Sequence, residues 1–299
     1  MYKRILVPLD GSEIAEGILP VVESFAQALN ARVHLLSVIE EDVVAAVAHP
    51  LQGRFADQAR MTAVGVAEEY VKKVAARLQL PKNSVDVTVK VASVPETILE
   101  EAEKQPETLL AMSTHGRSGM QRFVLGSVAD KLLHATKAPL LLDRPREEMI
   151  SKPVQRLTTV IVPLDGSELA EKVLPHVAAL AKALQLKVLL VRVTTTMVEY
   201  YSGEGFYTIP QQLITDMEKS SEDYLSDKVL ELENQGCKDV SGLALIGSPT
   251  GQVIDLIKKT PNSFAAVSTH GRSGLGRWVL GSVADRVIQQ SGSPVLVIR

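Results

Sequence analysis

"ILVPLDGSEIAEGILP" runs from Ile5 to Pro20, and "VIVPLDGSELAEKVLP" returns from Val160 to Pro175, 155 residues later. In each copy a short β-branched apolar run stops at Asp-Gly-Ser, which reads as a strand entering a turn. A helix is expected next, from about Ser12 to Leu29 in the first copy. Ser12 is placed to cap it, and Ile14, Ile18, Val21, Val22 and Phe25 recur at helical spacing. The repetition extends further. "STHGRSGMQRFVLGSVAD" (Ser113 to Asp130) matches "STHGRSGLGRWVLGSVAD" (Ser268 to Asp285) at fifteen of eighteen positions, again at an offset of 155. "APLLLDR" (Ala138 to Arg144) matches "SPVLVIR" (Ser293 to Arg299). Start, middle and end recur in one order, so the chain reads as a tandem duplication of a whole domain. The expected boundaries are a first domain at 1–146, a charged linker with prolines at 147–156, and a second domain at 157–299.

Within the first unit, strand and helix signals alternate. "RILVPL", "RVHLLSVI", "SVDVTVKVA", "TLLAMST" and "APLLLDR" read as five strands. Helices are expected near Ala59 to Leu78, from Pro95 to Glu103, and from about Ser127 to Thr136. This order predicts an α/β fold: two tandem open-twisted parallel five-stranded sheets with helices on both faces, Rossmann-like. Such sheets bind ligands beyond the carboxyl ends of the strands, where the strand order reverses. The segments there are "PLDGS", "SVIEE" and "STHGRSG".

Composition narrows the function classes. The chain has 299 residues, 45% hydrophobic and 22% charged, with a net charge of −3. That is the composition of a packed globule, without the basic footprint of a nucleic-acid binder. No apolar run reaches the length of a membrane span, and the start carries no leader pattern, so a cytoplasmic location is expected. The single cysteine, Cys237, rules out an intramolecular disulfide and reads as a small residue near a helix end.

The glycine-serine segments carry the chemistry. Gly126-Ser127 and Gly281-Ser282 open a helix, leaving the N–H groups of Ser127, Val128 and their counterparts Ser282, Val283 as donors at its positive end. This is an anion site suited to phosphate. Gly116, Arg117, Ser118 and Gly119, and Gly271, Arg272 and Gly274 in the second copy, form turn-rich loops able to close over the same phosphates. The bland reading is a helix cap and a turn. Against it stands the internal comparison: the connections after the second strands share nothing, while these loops stayed nearly identical. Neither a P-loop nor a Gly-x-Gly-x2-Gly dinucleotide fingerprint is present.

These residues resemble the universal stress protein family in its tandem, ATP-binding form, whose signature is Gly-x2-Gly-x9-Gly-Ser/Thr after the fourth strand. Ser113 and Ser268 stand where the signature has its first glycine. The resemblance implies an adenine nucleotide alpha hydrolase-like fold and one adenine nucleotide (ATP, AMP or ADP, with Mg²⁺ as a companion) per repeat. It further implies that Asp10 and Asp165 contact ribose, and that Pro8, Leu9, Pro163 and Leu164 line the adenine slot. Backbone atoms of Val38 and Val193 would read the base edge, with Met112 and Val267 beneath it. It also implies antiparallel pairing of the fifth strands, so that one chain mimics a family homodimer and could dimerise again. In the third-strand loop, Gly247-Ser248-Pro249 follows the family's Gly-x-Pro, where the first repeat has Ser93-Val94-Pro95.

Three functions fit: a nucleotide-binding stress or signalling protein whose occupancy presents a surface to a protein partner, a slow ATPase or phosphotransferase, or a scaffold with one or both sites empty. No recognisable catalytic set exists, so hydrolysis would be slow at most. His115 and His270 read as turn-stabilising residues rather than bases. The aromatic stretch Glu199 to Pro210 reads as a loop packed on its own domain.

Overall fold

The computed structural model describes residues 1–41, 54–114, 125–144, 156–195, 211–269 and 280–299. The chain divides into two compact units, Met1–Val154 and Gln155–Arg299. In the first, β1 (Arg4–Pro8), β2 (Arg32–Ile39), β3 (Val85–Val91), β4 (Thr108–Ser113) and β5 (Leu140–Asp143) form a parallel sheet in the order β3-β2-β1-β4-β5. In the second, β6 (Thr159–Pro163), β7 (Lys187–Thr194), β8 (Val240–Ile246), β9 (Ser263–Ser268) and β10 (Val295–Ile298) repeat it as β8-β7-β6-β9-β10. The central strands are buried on both faces: Ile5, Leu6 and Val7 have no exposed area, nor do Val160, Ile161 and Val162. Burial on both faces is why these strands read as unbroken apolar runs rather than as alternating ones. The fold is the expected α/β class, a Rossmann-like parallel sheet with helices, present twice.

The helix expected over Ser12 to Leu29 is interrupted. It forms α1 (Glu13–Glu16) and α2 (Leu19–Leu29), with Gly17 and Ile18 between them in helical dihedrals. The second unit breaks at the same place, into α6 (Glu168–Glu171) and α7 (Leu174–Leu184), although Lys172 stands where Gly17 does. Pro20 and Pro175 are the common cause, since each lacks the N–H that would bond back one turn and its ring crowds that carbonyl. The next helix, α3 (Arg54–Arg77), begins earlier than the expected Ala59, and α8 (Gln211–Asn234) is its counterpart. The remaining helices are α4 (Val94–Glu103) and α5 (Ser127–Ala135), matched by α9 (Pro249–Lys259) and α10 (Ser282–Gln290). Cys237 follows α8, is buried, and its thiol is pushed up by desolvation, which suits an inert packing residue. Among the described residues no helix is long and apolar enough to cross a membrane.

Under α4 the two units solve one packing problem in two ways. In the first, Glu101 is 4% exposed and Arg4 7%. The Arg4 guanidinium donates to the Glu101 main-chain carbonyl at 2.7 Å and to His34 Nδ1. With Nδ1 accepting, His34 Nε2 carries the proton toward Thr88 Oγ1, 2.9 Å away. Lys90 and Lys104 donate to Glu101 Oε1 at 2.5 and 2.7 Å. In the second unit the corresponding positions hold Thr159, Leu189, Leu243, Leu245 and Leu256. Burial raises the Glu101 pKa, but the hydrogen bonds from Lys104 and Lys90 outweigh it and bring the pKa from 4.5 down to about 2.

A depressed carboxylate contributes stability above its unfolded pKa and loses it as pH falls toward the folded value. Stability from Glu101 is therefore present above about pH 4.5 and disappears toward pH 2. Glu101→Gln leaves three cations facing a neutral group. It is expected to destabilise the first unit by about 3–5 kcal/mol in urea melts and to flatten its acid limb. Installing the second unit's residues together (Arg4→Thr, His34→Leu, Thr88→Leu, Lys90→Leu, Glu101→Leu) should cost much less than the single change. Equal stability of Glu101→Gln and the parent protein would show that the network contributes nothing.

Candidate functional site

The strand order reverses beside β1. The chain moves outward from β1 to β2 and β3, then crosses to β4 on the other side of β1, so a crevice opens beyond the carboxyl ends of β1 and β4. Three local structures shape it.

The first is the turn after β1. Leu9 N–H still bonds to the Leu36 carbonyl at 2.8 Å, holding the chain to β2 for one residue past the strand. The chain then turns through Gly11 at φ +86°, a left-handed conformation that glycine adopts without a Cβ clash. Asp10 Oδ1 accepts from Ser12 N–H at 2.9 Å and from Ser12 Oγ at 2.7 Å, and Ser12 Oγ accepts from Ala15 N–H at 3.1 Å. Ser12 is the N-cap of α1, as expected, and Asp10 orients it. The second unit repeats the arrangement with Asp165, Ser167 and Ala170 at 2.9, 2.6 and 3.1 Å, and Gly166 at φ +84°.

The second is the overhang of the neighbouring strand. The Leu36 carbonyl faces β1, while the Ile39 carbonyl accepts from Ala92 on the β3 side at 3.0 Å. Alternation along a strand therefore turns the backbone of Val38 toward β1, beyond the point where β1 has ended. Val193 has the same placement. The Val191 carbonyl accepts from Leu164 N–H at 2.8 Å, and the Thr194 carbonyl accepts from Gly247 on the opposite side at 3.0 Å.

The third is the helix start after β4. Gly126 N–H bonds to the Thr114 carbonyl at 2.9 Å, and Gly281 N–H to the Thr269 carbonyl at 2.7 Å. Each bond holds the first turn of a helix against the end of its strand. The N-cap is the glycine, without side-chain capping, and the first intrahelical bond is Asp130 N–H to the Gly126 carbonyl at 2.8 Å. The N–H groups of Ser127, Val128 and Ala129 thus precede the helix ladder. Gly126 (φ −62°) and Gly281 (φ −60°) have dihedrals open to any residue. Within Gly-Ser the cap is the glycine, and the serine falls one position after it.

In the second unit these parts enclose a cavity of about 260 Å³. Pro163, Leu164, Asp165, Val193, Val267, Ser268, Gly281, Ser282 and Val283 all line it, which brings together every described position singled out in the second repeat. Ala170, Val191, Pro249, Val253 and Ala284 complete the wall. Of these only Pro249 had a sequence signal, in the third-strand loop; Ala170, Val253 and Ala284 are there because α6, α9 and α10 lean over the sheet, and Val191 because β7 runs beneath them. The walls are apolar, with a carboxylate at one side and a helix N-terminus at another. In the first unit the same bonds place Pro8, Leu9, Asp10, Val38, Met112, Gly126, Ser127 and Val128 around the corresponding crevice. Ser113 is buried, and its Oγ donates to the Ala15 carbonyl at 3.3 Å, tying α1 to β4. Gly116, Arg117, Gly119, Gly271, Arg272, Gly274, His115, His270, the linker up to 155 and the stretch 199–210 lie outside the described residues.

The third-strand loops align differently from the proline match. Ala92 and Gly247 both donate to the end of the second strand, and Ser93 and Ser248 are both N-caps. Gly247 therefore corresponds to Ala92, and the prolines are shifted by one. Gly247 has φ +130°, which Ala92 does not share.

With the same turn, strand overhang and helix start in both units, on parallel sheets of one topology, the chain belongs to the universal stress protein family, whose family model matches residues 1–144 and 157–299. It is 27% identical to the universal stress protein MJ0531 of Methanocaldococcus jannaschii over 143 residues, covering 47% of this chain and 81% of that protein. It is 25% identical to the universal stress protein Rv2005c of Mycobacterium tuberculosis over 210 residues, covering 70% of this chain and 67% of that one. In fold it is similar to a solved universal stress protein of Archaeoglobus fulgidus, with a TM-score of 0.72 and 18% identity, covering 100% of this chain and 99% of that chain.

Ser12→Ala removes the acceptor of the Ala15 N–H and the partner of Asp10. It is expected to cost about 1 kcal/mol in urea unfolding, with Ser167→Ala costing a similar amount in its own unit. Unchanged midpoints for both variants would contradict the capping assignment.

Proposed function

We propose that each repeat binds one adenine nucleotide, and that occupancy sets the conformation presented to a protein partner. The observation that carries this reading is the joining of three unlike parts in one crevice. An apolar slot suits the two faces of a purine. The overhanging backbone of Val38 or Val193 suits its hydrogen-bonding edge. The glycine-capped helix start suits phosphate, through N–H groups and the helix dipole together. Asp10 and Asp165, held by Ser12 and Ser167, stand beside the slot where ribose hydroxyls would reach a carboxylate.

The capping choices add support. The same chain caps α1 and α6 with a serine side chain, yet uses glycine at α5 and α10. Neither glycine is required by its dihedrals, and the missing Cβ lets a phosphate approach the helix N–H groups closely. Mg²⁺ would arrive with the triphosphate: among the described residues no three His, Cys, Asp or Glu side chains converge on a metal position. Ser113 is engaged with a main-chain carbonyl, so in the first repeat it substitutes for the family glycine as a brace.

Occupancy is tested by denaturing the purified protein and quantifying released adenine nucleotide, with calorimetry on added ATP. About two nucleotides per chain are expected, and none by either route would overturn the reading. Gly126→Asp with Gly281→Asp puts a carboxylate against the phosphate position while improving each cap by a few tenths of a kcal/mol. Binding should therefore be lost without loss of stability.

A further inference from the structure

The cavity of the second repeat continues into a larger one of about 490 Å³, which shares Asp165, Val193 and Pro249 with it. Arg192, Thr194, Asp216, Met217 and Ser220 are among the residues of its wall. We propose that this annex binds an uncharged polyhydroxylated group, a sugar, seated beside the nucleotide's ribose. The placement relative to the nucleotide rests on the reading above, whereas the sugar-binding chemistry rests on the annex alone.

Charge decides against an anion. Among the described wall residues the carboxylates of Asp165 and Asp216 outnumber the one guanidinium, Arg192. A phosphate or carboxylate would meet a net negative wall. A sugar hydroxyl both donates and accepts, so it is served by a carboxylate, a guanidinium and a hydroxyl at once. The C–H face of a sugar ring has Met217, Val193 and Pro249 to pack against.

The donor is held ready. The Arg192 guanidinium lies 4.7 Å from the centroid of the Tyr224 ring. The Tyr224 hydroxyl donates to Glu171 Oε1 at 2.8 Å, and Lys228 Nζ donates to Glu171 Oε2 at 2.8 Å. A stacked, braced arginine loses little freedom on binding. Thr194 Oγ1 lies 3.0 Å from Ser221 Oγ, which donates to the Met217 carbonyl at 2.9 Å. Ser221 therefore accepts from Thr194, which fixes the Thr194 hydroxyl.

The feature belongs to one repeat. Tyr70 lies in the fields of Glu16 and Asp10 as Tyr224 lies in those of Glu171 and Asp165, so α3 and α8 correspond with Tyr70 opposite Tyr224. In that alignment Arg192, Thr194, Asp216, Ser220 and Ser221 face Ser37, Ile39, Thr62, Val66 and Ala67. The first repeat has neither the guanidinium nor the carboxylate.

Two variants carry the first repeat's residues into the second: Arg192→Ser, Asp216→Thr, Ser220→Val, and the surface pair Asp216→Thr, Ser220→Val alone, whose fold is not at stake. In Gly126→Asp background, where only the second site takes nucleotide, ADP-ribose and ADP are compared by calorimetry. Saturation-transfer NMR with free D-ribose and D-glucose reads the annex with and without ADP. About tenfold tighter binding of ADP-ribose than of ADP, reduced in both variants, identifies a sugar carried on the nucleotide. A transfer signal from free sugar, reduced in both variants, identifies a sugar bound in its own right. Equal affinities together with no transfer signal, or effects untouched by both variants, overturn the proposal. Loss of ADP binding with a persisting sugar signal would count against the nucleotide reading and not against the annex.

Discussion

A single main-chain hydrogen bond, Gly126 N–H to the Thr114 carbonyl and its twin Gly281 N–H to the Thr269 carbonyl, fixes what each unit can do. It ties the start of the following helix to the end of the fourth strand. The first turn of the following helix is thereby brought to the crevice beside β1 or β6. Without this closure the helix dipole and its leading N–H groups would have no defined direction. With it, the leading N–H groups of the helix and an apolar slot lie side by side. The serine-capped turn after the first strand then supplies the carboxylate from the other side.

The two units share this clamp and the turn, and they differ elsewhere in ways that have physical meaning. Beneath α4 the first unit buries an Arg-His-Glu-Lys network, while the second fills the same positions largely with leucine. Both solutions satisfy the same sheet, as expected when a fully partnered ionic cluster and a well-packed apolar one are close in net stability. Near the crevice the differences are of side-chain size and polarity. Met112 lies where the second unit has the smaller Val267, and Arg192 and Asp216 line a cavity of the second unit at positions where the first has Ser37 and Thr62. The duplication preserved the helix start after the fourth strand and let the end of the second strand diverge.

Much of the fold was legible in the sequence because the central strands are buried on both faces and end at Asp-Gly-Ser or Ser-Thr. The site was legible where it is built from contiguous residues, such as Pro163 to Asp165 and Gly281 to Val283. The break after α1 was also signalled, by Pro20 and Pro175, but the helical recurrence of Ile14, Ile18, Val21 and Phe25 runs straight across it and concealed it. What could not be read was assembled from distance. Arg4, His34 and Glu101 are unremarkable charges until β1, β2 and α4 stack them, and Arg192 gains its role only when α8 lays Tyr224 beneath it. Likewise Ser113 stands in the sequence only as a departure from a glycine, and the fold gives its hydroxyl the Ala15 carbonyl as partner.

The proposed nucleotide sites require the helix starts at Gly126 and Gly281 to be the phosphate positions. The most direct measurement is an amide-resolved NMR titration of the labelled protein with ATP. The account predicts the largest shifts at the N–H groups of Ser127, Val128 and Ala129 and of Ser282, Val283 and Ala284, with accompanying shifts at Val38 and Val193. Binding that leaves these amides unmoved and perturbs another surface would contradict it.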